Sequence, residues 1–221
     1  MRSAAQSAPA ERSIPGIRGR LITSSYARDG VHLLAGGEAA PAALMRALDA
    51  WWRRCEATLG PASSVRAVTD VALVPLLRLL GFDPRHPRED AASCVLQLDC
   101  GAASCVIALA VPWGASLAAV RRAALIETLS GDARWCLCSN GTSLRILDGR
   151  RTWSRDYLEF DAAILGQEPA TQSLLWSLAR AESMSMSPPV LDRAVEQSAQ
   201  YGVEVCRALG GGVLDALRLL L

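Results

Sequence analysis

Residues 134–161 constrain the fold more than any other stretch: Arg-Trp-Cys-Leu-Cys-Ser-Asn-Gly-Thr-Ser-Leu-Arg-Ile-Leu-Asp-Gly-Arg-Arg-Thr-Trp-Ser-Arg-Asp-Tyr-Leu-Glu-Phe-Asp. Asn140-Gly141 and Asp148-Gly149 are tight-turn pairs of the type I′ kind, which needs positive φ at two successive residues. Runs of strand-forming side chains flank both pairs. The chain should therefore double back twice, as a meander with strands near 134–139, 143–147 and 152–160. Upstream, 94–99 and 104–111 read as two more strands joined through Gly101. The second is almost wholly apolar, as expected of a strand covered on both faces.

Helical spacing surrounds these strands. Leu44, Leu48, Trp51, Cys55 and Leu59 recur on one face over 41–59, with Pro41 near the start and Gly60 past the end. A second helix is expected over 63–80, where Pro75 removes a hydrogen bond and should kink or split it before Gly81 caps it. Leu117, Val120, Ala124 and Leu129 mark a third. Beyond residue 162 the strands stop. Helices near 170–182 and 188–209 follow, the latter with Leu191, Val195, Ser198, Gly202, Val205 and Leu209 in register. Gly210–Gly212 should break it before a short amphipathic piece. The expected organisation is a loose arm at 1–20, an α/β domain at 21–165 and a helical connector at 166–221.

The turn-and-strand segment resembles the nuclease-like N-terminal region of type IIG restriction–modification proteins, which join an endonuclease domain to an adenine DNA methyltransferase. The residues carrying it are the Trp-Cys strand, the Asn-Gly turn, the Leu-Arg strand and Tyr157-Leu158-Glu159-Phe160-Asp161. Upstream, Leu59-Gly60-Pro61, Pro75-Leu76-Leu77, Leu80-Gly81-Phe82 and Pro112-Trp113-Gly114 extend it, so the likeness spans roughly residues 40–210. It implies a restriction-endonuclease-like mixed sheet flanked by helices, followed by a helical C-terminal extension.

Composition narrows the chemistry. Half the residues are hydrophobic and the net charge is +1, so any attraction to nucleic acid must come from local patches. All 23 basic residues are arginine, which excludes any mechanism that requires a lysine. Seven cysteines without a Cys-x-x-Cys knuckle, and only two histidines, read as reduced and mostly buried thiols rather than a zinc site. Residues 1–20 hold no apolar signal-peptide core, and no stretch is long enough to span a bilayer, so a cytoplasmic protein without membrane contact is expected.

The resembled nuclease core places an Asp on one strand and Glu-x-Lys or Asp-x-Lys on the next. The two carboxylates hold Mg²⁺ and the lysine stabilises developing charge. Asp90 or Asp99 would be the first acid, with Glu89 or Glu127 as migrated alternatives. The strand that should carry the second acid reads Ser-Cys-Val-Ile-Ala-Leu-Ala-Val, with neither acid nor base. The expectation is no catalytic residue, no metal and no cofactor. Ser187-Pro188-Pro189-Val190 superficially matches the methyltransferase Asn-Pro-Pro-aromatic motif, but Val190 supplies no stacking ring. A helix start capped by Ser187 is the alternative.

What remains is DNA contact. Arg145, Arg150, Arg151 and Arg155, interleaved with Trp153 and Tyr157, are the candidate nucleic-acid-binding residues. Strand alternation would put Arg151, Trp153, Arg155 and Tyr157 on one face. Solvated hairpin arginines paired to Asp148, Asp156 and Glu159 are the competing reading. Arg53-Arg54 reads as surface charge beside core tryptophans. The resulting expectation is a catalytically degenerate, DNA-associated or scaffolding domain of a type IIG-like restriction–modification or phage-defence system. Double-stranded DNA, a methyltransferase domain or subunit and a second copy of the chain are the expected partners. A pure interaction module, and an active Mg²⁺-dependent endonuclease with a rearranged site, are the alternatives.

Overall fold

Alternation along the strands sorts the apolar side chains onto two faces of one sheet. A computed structural model describes residues 13–34, 39–99 and 105–203. Its strands are β1 (Ile17–Gly19), β2 (Asp83–Glu89), β3 (Cys94–Asp99), β4 (Cys105–Ala110), β5 (Ala133–Ser139), β6 (Ser143–Asp148) and β7 (Leu158–Asp161). They form a seven-stranded mixed sheet in the order β1-β7-β6-β5-β4-β3-β2. Only β4 and β5 run parallel, and they are linked by the crossover helix α6 (Arg121–Ser130), numbered here in chain order. The protein is thus α/β, with a mixed sheet flanked by helices.

Leu96, Leu98, Val106, Ala108, Trp135, Leu137, Leu144, Ile146, Leu158 and Phe160 face the larger core. Against them pack α3 (Ala42–Thr58), α7 (Ala162–Gln167), α8 (Pro169–Ala179) and the helical residues 190–203, here α10. Burial of each large side chain such as Trp135 or Phe160 contributes roughly 1.5–3 kcal/mol. The opposite face carries Val95, Ile107, Leu109, Cys136, Cys138 and Leu147, covered by α6 and the segment before it. Both faces of β4 are therefore buried, which explains its unbroken apolar sequence.

Pro75 does split its helix. The chain passes from α4 (Val65–Val68) through a π-helical turn, Thr69–Leu73, into α5 (Val74–Leu79). Because proline donates nothing, carbonyls in the preceding turn need other donors. Trp51 Nε1 reaches Ala72 O at 2.9 Å, and Cys55 Sγ lies 3.7 Å from Val71 O. Two residues on the apolar stripe of α3 thus satisfy the backbone that Pro75 disturbs.

Several sequence expectations need correction. The Asn140-Gly141 turn is not type I′, since only Gly141 has positive φ (82°). Asn140 and Ser143 close a two-residue loop, Gly141-Thr142, with the positive φ at its first position as in type II′. Asn140 Oδ1 accepts from the amides of Thr142 and Ser143, while its Nδ2 donates to Ala115 O. Gly141 has no alternative there, because a Cβ would sit 2.4 Å from the Trp113 ring.

The third meander strand is shorter than expected. Residues 149–157 are turns and irregular backbone, and pairing resumes only at Leu158. Asp148 causes this: its Oδ1 takes the Arg150 amide and its carbonyl takes the Arg151 amide, curling the chain out of the sheet. Two strands also went unread. β1 lies within the stretch expected as an arm and pairs with β7, and β2 pairs with β3. The downstream helix starts at residue 190 rather than 188, after a cis Ser187–Pro188 bond, so Ser187 is not its cap. Most of the expected arm, the Gly101 connection, Gly210–Gly212 and the last amphipathic piece lie outside the described residues. Among the described residues no helix is long and apolar enough to cross a membrane.

Candidate nucleic-acid interface

The hairpin on which metal-binding acids would stand does not assemble them. β4 carries no ionisable carboxylate or base. Asp90 sits in the turn between β2 and β3, where Oδ1 accepts from the amides of Ala92 and Ser93 at 2.7 Å each. Those two backbone donors hold its carboxyl below the ordinary range. Asp99 lies opposite Asp83 at the far end of β3, and Glu127 pairs with Arg88 across from α6. Among the described residues no three His, Cys, Asp or Glu side chains converge as a metal site would require. Cys136 and Cys138 share a face, as their spacing implies, with Sγ atoms 3.5 Å apart and both side chains buried. Val190, from the Pro-Pro-Val stretch, is buried in the larger core.

The four arginines expected at a nucleic-acid surface separate into two environments. Arg145 is on β6, directly opposite Glu159 on β7, and its Nε donates to Glu159 Oε2 at 2.7 Å. Its side chain is 11 % exposed and that of Glu159 is 9 % exposed. The guanidinium carbon lies 4.0 Å from the Tyr157 ring centroid, so aromatic face and carboxylate together hold the charge. Arg145 is the base on which the loop rests.

Arg150, Arg151 and Arg155 stand on loop 149–157, which is tied down along its length. Gly149 approaches α6 so closely that a Cβ would lie 2.6 Å from Thr128 Oγ1. Arg151 Nε is 3.7 Å from Asp148 Oδ2, and Asp148 also binds Arg134. The Ser154 amide returns to Arg151 O at 3.0 Å. Ser154 Oγ donates to Asp156 and accepts the Asp156 amide. Arg121, at the start of α6, donates to the carbonyls of Thr152 and Ser154. The loop is held by its own backbone and by Arg20, Arg121 and Arg145 from outside it.

This arrangement partitions charge. Among the described residues the acids on and beside the loop are engaged: Asp148 by Arg134 and Arg151, Asp156 by Ser154 and Arg20, Glu159 by Arg145. Arg150 and Arg155 are exposed, and neither comes within ion-pair distance of a carboxylate among the described residues. Between them Trp153 projects into solvent, 81 % exposed. The alternation that would have placed Tyr157 beside Trp153 is broken by the turns, so Tyr157 packs under Arg145 while Trp153 points away.

Sequence reasoning missed Arg121 and Arg122. Arg122 follows Arg121 at the head of α6 and is exposed. A doublet of arginines before a helix carries no signal that one will hold a loop 31 residues further on. Compared with protein-family models, with curated proteins and with solved structures, the chain gives no match.

Proposed function

We propose that this chain is a catalytically degenerate domain of the restriction-nuclease-like class that associates with DNA through loop 149–157. The setting would be a type IIG-like restriction–modification or phage-defence system, with a methyltransferase domain or subunit as its working partner. The observation that carries the reading is the ordered loop whose exposed Arg150 and Arg155 have no carboxylate within ion-pair distance among the described residues, while Asp148, Asp156 and Glu159 are each engaged. Guanidinium groups in that state are suited to phosphate oxygens. The hydrocarbon strand β4 supports the degenerate half of the reading, since a metal held by scattered single carboxylates binds weakly.

The test is binding to a short DNA duplex followed between about 50 and 200 mM salt. Affinity should fall steeply with salt, and Arg150→Ala/Arg155→Ala should flatten the slope by roughly two units, one per lost phosphate contact. Binding indifferent to both salt and these substitutions would refute it. Supercoiled DNA incubated with Mg²⁺ or Mn²⁺ should remain uncut; nicking that disappears in Asp90→Ala would restore the nuclease. A second reading, a protein-docking module, is favoured by Ile126 and Leu129, which stand 51 % and 64 % exposed on α6. It predicts a dimer or methyltransferase complex that forms without DNA and is lost in Ile126→Ser/Leu129→Ser.

A further inference from the structure

A tryptophan four-fifths exposed is uncommon on a soluble surface, because its large apolar ring gains most from burial. Trp153 is left outside although Tyr157, four residues on, folds inward under Arg145. The backbone carrying it is not slack. Arg121 fixes the carbonyls of the residues on either side, Thr152 and Ser154, and the Ser154 amide closes a turn onto Arg151 O. The ring is thus presented by an ordered loop, and little conformational freedom remains to be lost when something covers it.

We propose that Trp153 is a stacking platform for an unpaired nucleobase, flanked by Arg150 and Arg155 as contacts to the phosphates on either side. This rests on the DNA-associated reading and specifies its preferred ligand: single-stranded or locally unpaired DNA, bound more tightly than intact duplex. An aromatic ring on a protruding loop has no access to a base inside a closed helix, but every unpaired base offers it a π face. The flanking charges fit the same ligand. A stacked nucleotide brings a phosphate on each side of its base, and along the loop one exposed arginine precedes Trp153 and another follows it. The three acids beside the loop among the described residues, Asp148, Asp156 and Glu159, each have a cationic partner, which reduces their repulsion of a phosphate.

The experiment uses the whole chain and two labelled probes of equal length, a single-stranded oligothymidylate and a blunt duplex, at low salt. Expected is tighter binding of the single strand, with quenching of tryptophan emission. Trp153→Ala should weaken single-strand binding about ten-fold and abolish the quench, Trp153→Phe should retain most of the affinity, and duplex affinity should change less than about two-fold. Exposure of the side chain means the alanine variant keeps its fold, which circular dichroism checks. Equal losses on both probes, or no loss on the single strand, overturn the stacking role. If Arg150→Ala/Arg155→Ala still weakens duplex binding in that case, the DNA-associated reading survives alone. If neither probe binds, both fall. A self-association lost in Trp153→Ala with single-strand affinity unchanged would assign the ring to a protein partner and overturn the proposal.

Discussion

The indole hydrogen of Trp135 on β5 is donated to Oδ1 of Asp192 on α10 at 2.8 Å, a buried polar contact that fixes the last described helix to the sheet. Oδ2 of the same carboxylate binds Arg134, whose other arm reaches Asp148 at 3.3 Å. Asp148 in turn holds the amide of Arg150 and the guanidinium of Arg151. Helix, sheet and basic loop are therefore joined by one chain of charge-assisted bonds. Asp192→Ala removes the acceptor for a buried indole and one partner of a largely buried guanidinium. It should destabilise the protein by about 3 kcal/mol in urea unfolding. A loss below about 0.5 kcal/mol, the scale of an ordinary surface change, would show that the contact does not hold the helix.

The same carboxylate should impose an unusual pH dependence. Burial raises the Asp192 pKa above its ordinary 3.8, outweighing the Trp135 hydrogen bond and the Arg134 charge; Asp148 pushes it further up and Arg150 draws it down. The folded state then binds this proton more tightly than the unfolded state. The contribution to stability is full below the unfolded value and is lost as pH rises through the raised one. Measured against Asp192→Asn, which cannot titrate, the stability advantage of the natural residue should shrink as pH rises from about 3.8 upward. An advantage that grows across that window would reverse the sign and refute the assignment.

Arg145 and Glu159 predict strong non-additivity. Both are nearly buried, and each is the other's counter-charge. Arg145→Met or Glu159→Leu alone strands a charge away from water and should cost about 3–5 kcal/mol, whereas the double substitution replaces the pair by hydrocarbon and should cost much less. A double-mutant cycle by chemical denaturation reads this directly. Additive losses would mean that water reaches the pair and relieves whichever charge remains.

How much of this was legible in the residues depended on the range of the interactions. The strands β3 and β4, the helix carrying Leu44, Leu48 and Trp51, and the Pro75 break follow from local periodicity and proline chemistry, and all of these are present. β2 was missed because Asp-Pro-Arg-His-Pro-Arg-Glu has no alternation of apolar and polar residues. As an edge strand it buries little and needs none, and its two prolines are tolerated there. β1 was missed for the opposite reason. Three residues beside glycines carry no periodicity, and only pairing with β7, far along the chain, makes them a strand.

The basic segment was legible in composition but not in geometry. Asp148-Gly149 looks like a tight hairpin turn, yet Gly149 does not adopt positive φ and serves instead as a place where α6 comes close. Asp148 directs its carboxyl to Arg134 and to the Arg150 amide, and a nearest-neighbour turn rule does not include an arginine on the adjacent strand. The consequence for the site is large. A continuous strand would have aligned Trp153 with Tyr157, whereas the actual turns separate them into an exposed ring and a supporting one.

Burial makes a further prediction about the thiols. Burial pushes Cys55 up to about 11, and Cys136 is raised by its hydrogen bond with Cys138 as well as by burial. Cys94 is also raised, chiefly by burial. All four, Cys138 included, are buried free thiols. Near pH 8 they should resist alkylation in the folded protein and react together on unfolding, which peptide mass mapping resolves site by site. Rapid labelling of Cys136 or Cys138 without unfolding would mean that α6 lifts from the sheet.

Two glycines provide a matched test of the loop anchor. At Gly149 a Cβ would meet Thr128 Oγ1 at 2.6 Å and the Arg134 carbonyl at 3.0 Å, and Thr128 is itself buried with its hydroxyl donated to Leu125 O. Neither neighbour is a flexible chain end, so the added methyl must push the loop off α6. Gly149→Ala should therefore cost about 1–3 kcal/mol. By displacing the loop it should also weaken the DNA binding proposed for that loop, without touching a charged residue. At Gly60 a Cβ meets nothing within 4 Å, and the backbone has no positive φ. Gly60→Ala should leave stability unchanged or raise it by up to about 1 kcal/mol, through lost freedom in the unfolded chain. Thermal denaturation of the two variants separates packing at the anchor from the general effect of replacing a glycine. Equal shifts in the two would refute the close approach of Gly149 to α6.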